Sequence, residues 1–376
     1  MSVRMVRCLA FLAMMVVVVP AMAATTDELI RTIKAVGKEG AGNPAAIKAV
    51  KELSRGSSQT LLPLLNSMDD AGPLAINWLR GAFESVAARE LKSTGKLPAQ
   101  EFEAFVLDKQ HDPHPRRLAY EWLLKVDATA EERLIPNMLR DPGADFRRDA
   151  VQRLIDQAVA AQEKEDKPAA IQLFQEALAG ATDNDQVQAI VKPLKELGEN
   201  VDLQKHFGFL TRWKLIGPFE NHELIGFAAV YPPEEKIDLN AKYVAKDGVE
   251  VAWQEHQTED EYGIVDLRKA LAAHKGAVVY AASEFTAKAP MSVEVRLGTP
   301  NAWKLWVNGQ LAFGREEYHR GTQLDQYLVP VKLQAGKNTL LLKVCQNEQT
   351  EEWAQDWKYQ LRVSDASGAA VEPAGD

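Results

Sequence analysis

Asn308-Gly309, set between Trp303-Lys-Leu-Trp-Val307 and Gln310-Leu-Ala-Phe313, constrains this chain more than any other pair of residues. A two-residue type I′ turn needs positive φ at both central positions, and Asn-Gly meets that need cheaply, so the pair predicts an antiparallel hairpin. Downstream, Leu333-Gln-Ala-Gly-Lys-Asn-Thr-Leu-Leu-Leu-Lys-Val344 reads as a glycine turn running into a further strand. Other short runs of strand character are Trp213–Ile216, Val249–Gln254, Ala277–Ala282, Met291–Leu297, Gln326–Val331 and Tyr359–Val363. Many short strands separated by Gly, Pro and Asn predict a β-sandwich or jelly roll. Six of the eight tryptophans lie beyond residue 210, so this half also holds most of the large aromatic surface.

Before Phe209 the periodicity is different. Apolar residues recur three and four apart, as in Leu74, Trp78, Leu79, Ala82, Phe83 and Val86, the spacing of helices. Asn43-Pro44 and Pro98 supply start signals. Breaks at 40–42, 69–72, 93–95, 112–113, 127–129, 141–143 and 183–185 leave helices of ordinary length. An internal repeat is visible: the Arg-Arg-x-Ala element of Arg116–Ala119 recurs 31 residues later in Arg147–Ala150, each time after an Asp-Pro. It resembles HEAT-type repeats, and Lys167–Leu178 resembles a tetratricopeptide helix. The resemblance implies stacked helix pairs, which either present a concave surface to a partner or act as a spacer.

The N-terminus follows another rule. Arg4 and Arg7 precede twelve apolar residues, Cys8–Val19, and then Pro20 and Ala21-Met-Ala23. A basic segment, a short apolar run and an A-x-A end predict a secretory signal peptide cut after Ala23 or Ala24, too short to span a bilayer. The expected location is therefore secreted or periplasmic, with no membrane span in the mature chain. Removal of the two arginines takes the net charge from −9 to −11, which argues against nucleic acid as a partner. It also leaves Cys345 as the single cysteine, so an intramolecular disulfide is excluded and a buried strand residue is expected.

The expected fold class is multidomain α and β: N-terminal α-solenoid-like helical repeats followed by an antiparallel β-sandwich (jelly roll). The expected boundaries are 1–24 for the signal peptide, 25–208 for the helical repeats, 209–366 for the sandwich and 367–376 for a disordered tail. The sandwich resembles galactose-binding-like jelly rolls, particularly the sugar-binding domains of family 2 glycoside hydrolases. The resemblance is carried by Trp306-Val-Asn-Gly309, Asp325, the Leu333-x-x-Gly336-x-Asn338 turn and the closing strand Tyr359–Val363. Trp213-x-x-Ile-Gly-Pro-Phe219 between helical repeats and jelly roll resembles a recurrent bacterial extracytoplasmic architecture. The resemblance implies recognition of glycan by an accessory domain. Only about a dozen residues follow Val363, so the catalytic barrel of those hydrolases is not expected here.

Candidate ligand-binding residues follow from where rings and polar groups gather. If Val307 pairs with Gln310, strand alternation puts Lys304, Trp306, Leu311 and Phe313 on one face and Trp303, Leu305, Val307 and Ala312 on the other. With one core face per sheet, Trp306 is the expected core residue and Trp303 a platform for a sugar ring; alternatively both pack. The polar loop Glu316–Asp325 offers Tyr318, His319, Arg320 and Asp325, either as ligand contacts or, for Arg320 and Asp325, as an ion pair fixing the loop. Trp353 and Trp357, four apart, either line a groove or plug the end of the sandwich. Gly217-Pro-Phe219 reads as a structural turn. His111 and His114 lie at a repeat junction broken by prolines and fall short of a metal site.

No nucleophile elbow, P-loop, H-E-x-x-H or dinucleotide fingerprint is present. The expectation is a non-enzymatic binding protein whose partner is glycan. The alternatives are a purely protein-binding scaffold of an extracytoplasmic complex and a carbohydrate-active enzyme with catalytic carboxylates not visible in sequence. No cofactor is specified, although the acidic composition permits a structural Ca²⁺.

Overall fold

The structure, a computed structural model, describes residues 24–375. The segment read as a signal peptide lies outside the described residues, save Ala24. The chain divides into two compact units, one ending at Ala128 and the other beginning at Thr129.

The first unit is helical: α1 (Thr26–Lys34), α2 (Asn43–Leu53), α3 (Leu61–Asn66), α4 (Pro73–Thr94), α5 (Ala99–Leu107) and α6 (Pro113–Leu123). Local chemistry sets their ends. Thr25 and Glu28 form a reciprocal capping box at α1, and prolines occupy the first turns of α2, α4 and α6. Phe83 of α4 packs against Phe102 of α5 and edge-on to Trp122 of α6, at 5.9 and 6.2 Å. His111 stacks on Phe105 and bonds Asp69 at 2.7 Å, and His114 bonds Asp112, so each of these histidines has a structural partner.

The second unit begins with α7 (Ala130–Leu134), α8 (Ala144–Glu163), α9 (Lys167–Gly180), α10 (Asn184–Glu196) and α11 (Leu203–Phe207). The Arg-Arg-x-Ala repeat has a structural counterpart. Arg116 in α6 and Arg147 in α8 are both buried, and each donates Nε to a main-chain carbonyl, of Val106 at 2.8 Å and of Asp141 at 3.2 Å.

Strands follow from Arg212. A six-stranded sheet has the order β4-β1-β6-β11-β8-β9, with β1 (Arg212–Glu220), β4 (Gln254–Gln257), β6 (Ala277–Ala287), β8 (Ala302–Val307), β9 (Gln310–Arg315) and β11 (Gly336–Gln346). A four-stranded sheet has the order β10-β7-β12-β5, with β5 (Val265–Asp266), β7 (Met291–Gly298), β10 (Tyr327–Leu333) and β12 (Lys358–Ser364). Every pairing is antiparallel. Between β1 and β4 runs a strap carrying α12 (Ile225–Ala228), α13 (Pro232–Glu235) and the small ribbon β2 (Lys242–Val244) and β3 (Glu250–Ala252). A short α14 (Leu267–Ala270) follows β5.

The hairpin forms as expected: Asn308 and Gly309 both have positive φ, and Val307 pairs with Gln310. The turn at Gly336 is tied to it, because buried Asn338 accepts from Asn308 Nδ2 at 2.8 Å while Asn308 Oδ1 accepts from Thr339 N. Gly217-Pro218 is a bulge inside β1 rather than a turn. A side chain at Gly217 would come within 2.7 Å of the Val278 carbonyl, so that position needs glycine.

Alternation along the strands fills two cores, one on each face of the six-stranded sheet. Leu215, Val279, Trp303, Leu305, Leu342 and Val344 meet Val293, Val295, Leu297, Tyr359, Leu361 and Val363 between the sheets. On the outer face Ile216, Phe219, Tyr280, Trp306, Leu341 and Cys345 pack beneath the strap, with its Phe227, Tyr231, Tyr243 and Trp253. Cys345 is the expected buried strand cysteine, and burial pushes its thiol up to about 12. The strap is fixed by Lys343, whose ammonium donates to the carbonyls of Phe227 and Ala229 and to Glu234 at 2.6 Å.

Helix gives way to strand just after Gly208, yet that is not where compaction divides the chain. A third core joins Val151, Phe174, Ile190 and Leu194 of the helices to Phe207, Phe209, Tyr262 and Leu324. Gln204 donates to the Asp260 carbonyl at 2.8 Å, and Lys195 pairs with Glu261. The C-terminal stretch is likewise ordered by bonds rather than a free tail: Val371 N donates to Val363 O, and Ala374 N to Thr286 O. A fragment 209–366 loses both supports, whereas 129–375 keeps them. In parallel thermal melts the shorter fragment is expected to unfold at least about 5 °C lower; equal melting points would show that the sandwich stands alone.

Candidate functional site

Strand register brings one set of loops together at one end of the sandwich. Glu220 and Gln346 both pair with Ala277, Cys345 with Ala302, Trp303 with Arg315, and Gly298 with Gln360. The loops 221–226, 271–276, 299–301, 316–326 and 347–357 therefore share that end. Buried amides brace them. Asn221 Nδ2 donates to the Gln346 carbonyl at 2.9 Å and to Tyr318 Oη at 3.3 Å, and Asn301 Nδ2 donates to Gln346 Oε1 and to the Asp356 carbonyl, both at 3.2 Å. Gln346 Nε2 and Lys275 Nζ both donate to the Ala354 carbonyl.

On this base sits Trp353, in the 3₁₀ turn Glu352–Ala354 and 62% exposed. The His319 ring meets it edge-on at 4.9 Å, and Tyr318 lies 6.3 Å from His319. His319 takes a left-handed conformation, φ 59°, and its Nε2 is buried without a hydrogen-bond partner among the described residues. Burial pushes the Tyr318 hydroxyl above its ordinary value. Arg320 is exposed, with Glu317 at 3.5 Å also held by Arg315. In the same loop as Trp353, Glu348 accepts from His222 Nδ1 at 2.5 Å and from Glu223 N, and that carboxylate raises the His222 pKa. The exposed Leu224 and Ile225 follow directly.

The structure thus gathers Tyr318, His319, Arg320 and Trp353 and separates the other three expected residues from them. Trp303, expected as a platform, has no exposed surface. It lies between the sheets with Phe313 and Tyr327 at 5.8 and 5.1 Å. Trp306 is buried on the opposite face, because the strap gives that face a core of its own. The register also shifts between Leu305 and Trp306, so Leu305 pairs with Phe313 while Trp306 pairs with Leu311. Ala312 is the extra residue of a bulge, and it moves Phe313 to the Trp303 side instead of the expected Trp306 side. Trp357 points into the inter-sheet core, away from Trp353.

Asp325 is withdrawn too. Its partner is not Arg320: it accepts from Arg362 Nε and Nη2 and from Arg296 Nη1, with Glu294 completing the network on Arg296. Asn221, His222, Asn301, Gln346 and Glu348 were not singled out in the sequence. The available signal was their place at strand ends, where side chains must satisfy main-chain groups that the ladders leave unpaired. Among the described residues no three His, Cys, Asp or Glu side chains are arranged to hold a metal ion, and no helix is long and apolar enough to cross a membrane.

No protein-family model and no curated protein matches this chain. Among solved structures, a GH31 alpha-xylosidase from Xanthomonas citri is similar over 31% of this chain and 15% of its own, at 13% identity and a TM-score of 0.19. A likeness of that degree assigns neither fold nor activity.

The Asp325 network carries a pH signature. Burial alone would raise the carboxyl, but Arg362 and Arg296 outweigh it and hold the pKa below its ordinary 3.8. A depressed carboxylate stabilises the fold fully above its unfolded value, and the contribution is lost as pH falls through the folded value. Asp325→Asn leaves two arginines without their shared anion and is expected to cost about 3 kcal/mol near pH 7. Denaturant titrations of both proteins should show that difference constant between about pH 5 and 8 and shrinking below about pH 4. A difference that persists undiminished in acid would rule out the charge as its origin.

Proposed function

We propose that this is an extracytoplasmic, non-enzymatic binding protein whose sandwich recognises carbohydrate at the loop end around Trp353, with the helices as scaffold. The observation that carries the reading is Trp353 itself: a largely exposed indole standing on a hydrogen-bonded base, with His319 edge-on beside it. An exposed aromatic face suits the apolar face of a sugar ring, and hydroxyl groups need donors and acceptors alongside it. In this reading exposed Arg320, next to His319, and Glu348, in the Trp353 loop, supply them, while Tyr318 packs on the outer-face core. The kinship of the sandwich with galactose-binding-like jelly rolls and of the helices with HEAT- and tetratricopeptide-type repeats belongs to the same proposal. So does export, which rests on the pattern of residues 1–24.

Trp303, Trp357 and Asp325 have no part in ligand contact in this reading. A second reading, docking of a protein partner, is favoured by Leu224 and Ile225, exposed on the same end of the sandwich.

Glycan arrays and insoluble-polysaccharide pull-downs of the full-length chain, with and without Ca²⁺, test the proposal. Trp353→Ala should leave the melting temperature unchanged and weaken glycan binding by about tenfold, the worth of roughly 1.4 kcal/mol of stacking. Unchanged affinity in that variant would overturn the platform. No glycan binding by folded protein would transfer the site to the protein-docking reading.

A further inference from the structure

A second concavity lies elsewhere in the same unit and shares no residue with the Trp353 site. It is an open cleft of about 710 Å³, walled by α8, α9 and α11 and by the chain after β12. Arg140, Arg147, Lys205, His206, Phe207 and Asp365 are among its lining residues. Arg147 stands out because it is only 7% exposed. Its Nε donates to the Asp141 carbonyl at 3.2 Å, but among the described residues its two Nη groups have no acceptor and no carboxylate forms an ion pair with it. Burial holds its pKa below the ordinary value against the pull of Asp365 and Asp141.

The nearby acids are engaged elsewhere. Glu199 accepts from Gln175 Nε2 at 3.2 Å, and Asp202 caps α11 through Lys205 N at 3.0 Å. Asp365 Oδ1 accepts from Ser367 N, Ser367 Oγ and Ala369 N. Glu372 lines the cleft as an exposed acid. Arg140 and Lys205 add two cations whose side chains have no bonded carboxylate among the described residues. The carboxylates of Asp141 and Asp365 act on Arg147 only through space, and a guanidinium, which keeps its charge at ordinary pH, is short of partners when its Nη groups bond no acceptor. The planar fork of arginine matches a carboxylate through two parallel hydrogen bonds.

We propose that this cleft is a second binding site, for a small organic carboxylate seated on the free Nη edge of Arg147. Uronic acids and the C-terminal carboxylates of peptides both present that group. Titration calorimetry of the full-length chain with glucuronate, glucose and N-acetylalanine separates the sources. Binding of glucuronate alone marks an acidic sugar and binding of N-acetylalanine alone a peptide terminus. Binding of both marks the carboxylate itself, and glucose stays silent in each case. Arg147→Lys keeps the charge but loses the fork, and should weaken binding at least about tenfold. The paired change Arg140→Gln with Lys205→Gln alters exposed groups only and should weaken it by a smaller factor, which reads the site even if the Arg147 variant fails to fold. Trp353→Ala should have no effect. The proposal is wrong if neither carboxylate binds, if glucose binds as well as glucuronate, or if folded Arg147→Lys and the paired variant both bind normally.

Discussion

One guanidinium holds the second unit together. Arg362 has no exposed surface, and four hydrogen bonds from it reach three separate stretches of chain. Two go to Asp325, which ends the long loop after β9; one goes to the Phe207 carbonyl in α11 at 3.1 Å; one goes to the Gly368 carbonyl beyond β12 at 2.9 Å. The Phe207 ring lies 5.4 Å from its charged carbon. A buried cation tolerates no missing partner, so the loop, helix α11 and the C-terminal segment must all be in place together. That is why helices α7–α11 belong with the sandwich, although the secondary structure changes type just before Arg212.

A sandwich sheet ordinarily leaves one face to water, and alternation along β8 then forces a choice between Trp303 and Trp306. Here no choice arises, because the strap between β1 and β4 supplies a second apolar layer. It is attached by a polar anchor: Lys343 projects from β11 and is closed over by two strap carbonyls and Glu234, which also accepts from Tyr280. Burial depresses the Lys343 pKa, and Glu234 opposes that effect. The ammonium thus fixes where the strap sits, while Phe219, Tyr231 and Trp306 provide the area.

What the sequence revealed follows the range of each interaction. The hairpin at Asn308-Gly309, the glycine turn at Gly336 and the helix breaks rest on neighbours in the chain; the two turns appear where expected and the breaks within two residues of it. Simple alternation puts Phe313 on the wrong face because a single bulge at Ala312 shifts the phase of everything after it, and no residue type there announces a bulge. The partners of Asp325 are 29 and 37 residues away, and Arg320 was simply the nearest cation in sequence. Trp353 and Trp357 look equivalent as letters. Only the 3₁₀ turn at Glu352–Ala354 sends one outward while β12 draws the other inward. At the site, the ring and its polar neighbours were legible, whereas the amides beneath them were not, since their partners come from four different loops.

Those amides bear directly on what the loop end can do. A surface aromatic on a mobile loop loses ordering entropy when it binds, and that loss subtracts from the contact energy. The 347–357 loop is tied down before any ligand arrives, by Gln346, Asn301 and Lys275 from below and by His222 at Glu348. Two of these four bonds come from neutral amides and depend little on salt or pH, whereas those of Lys275 and His222 involve charge. In the proposed reading the indole of Trp353 is therefore offered to carbohydrate in a fixed position, and Leu224 and Ile225 are further apolar surface exposed at the same end.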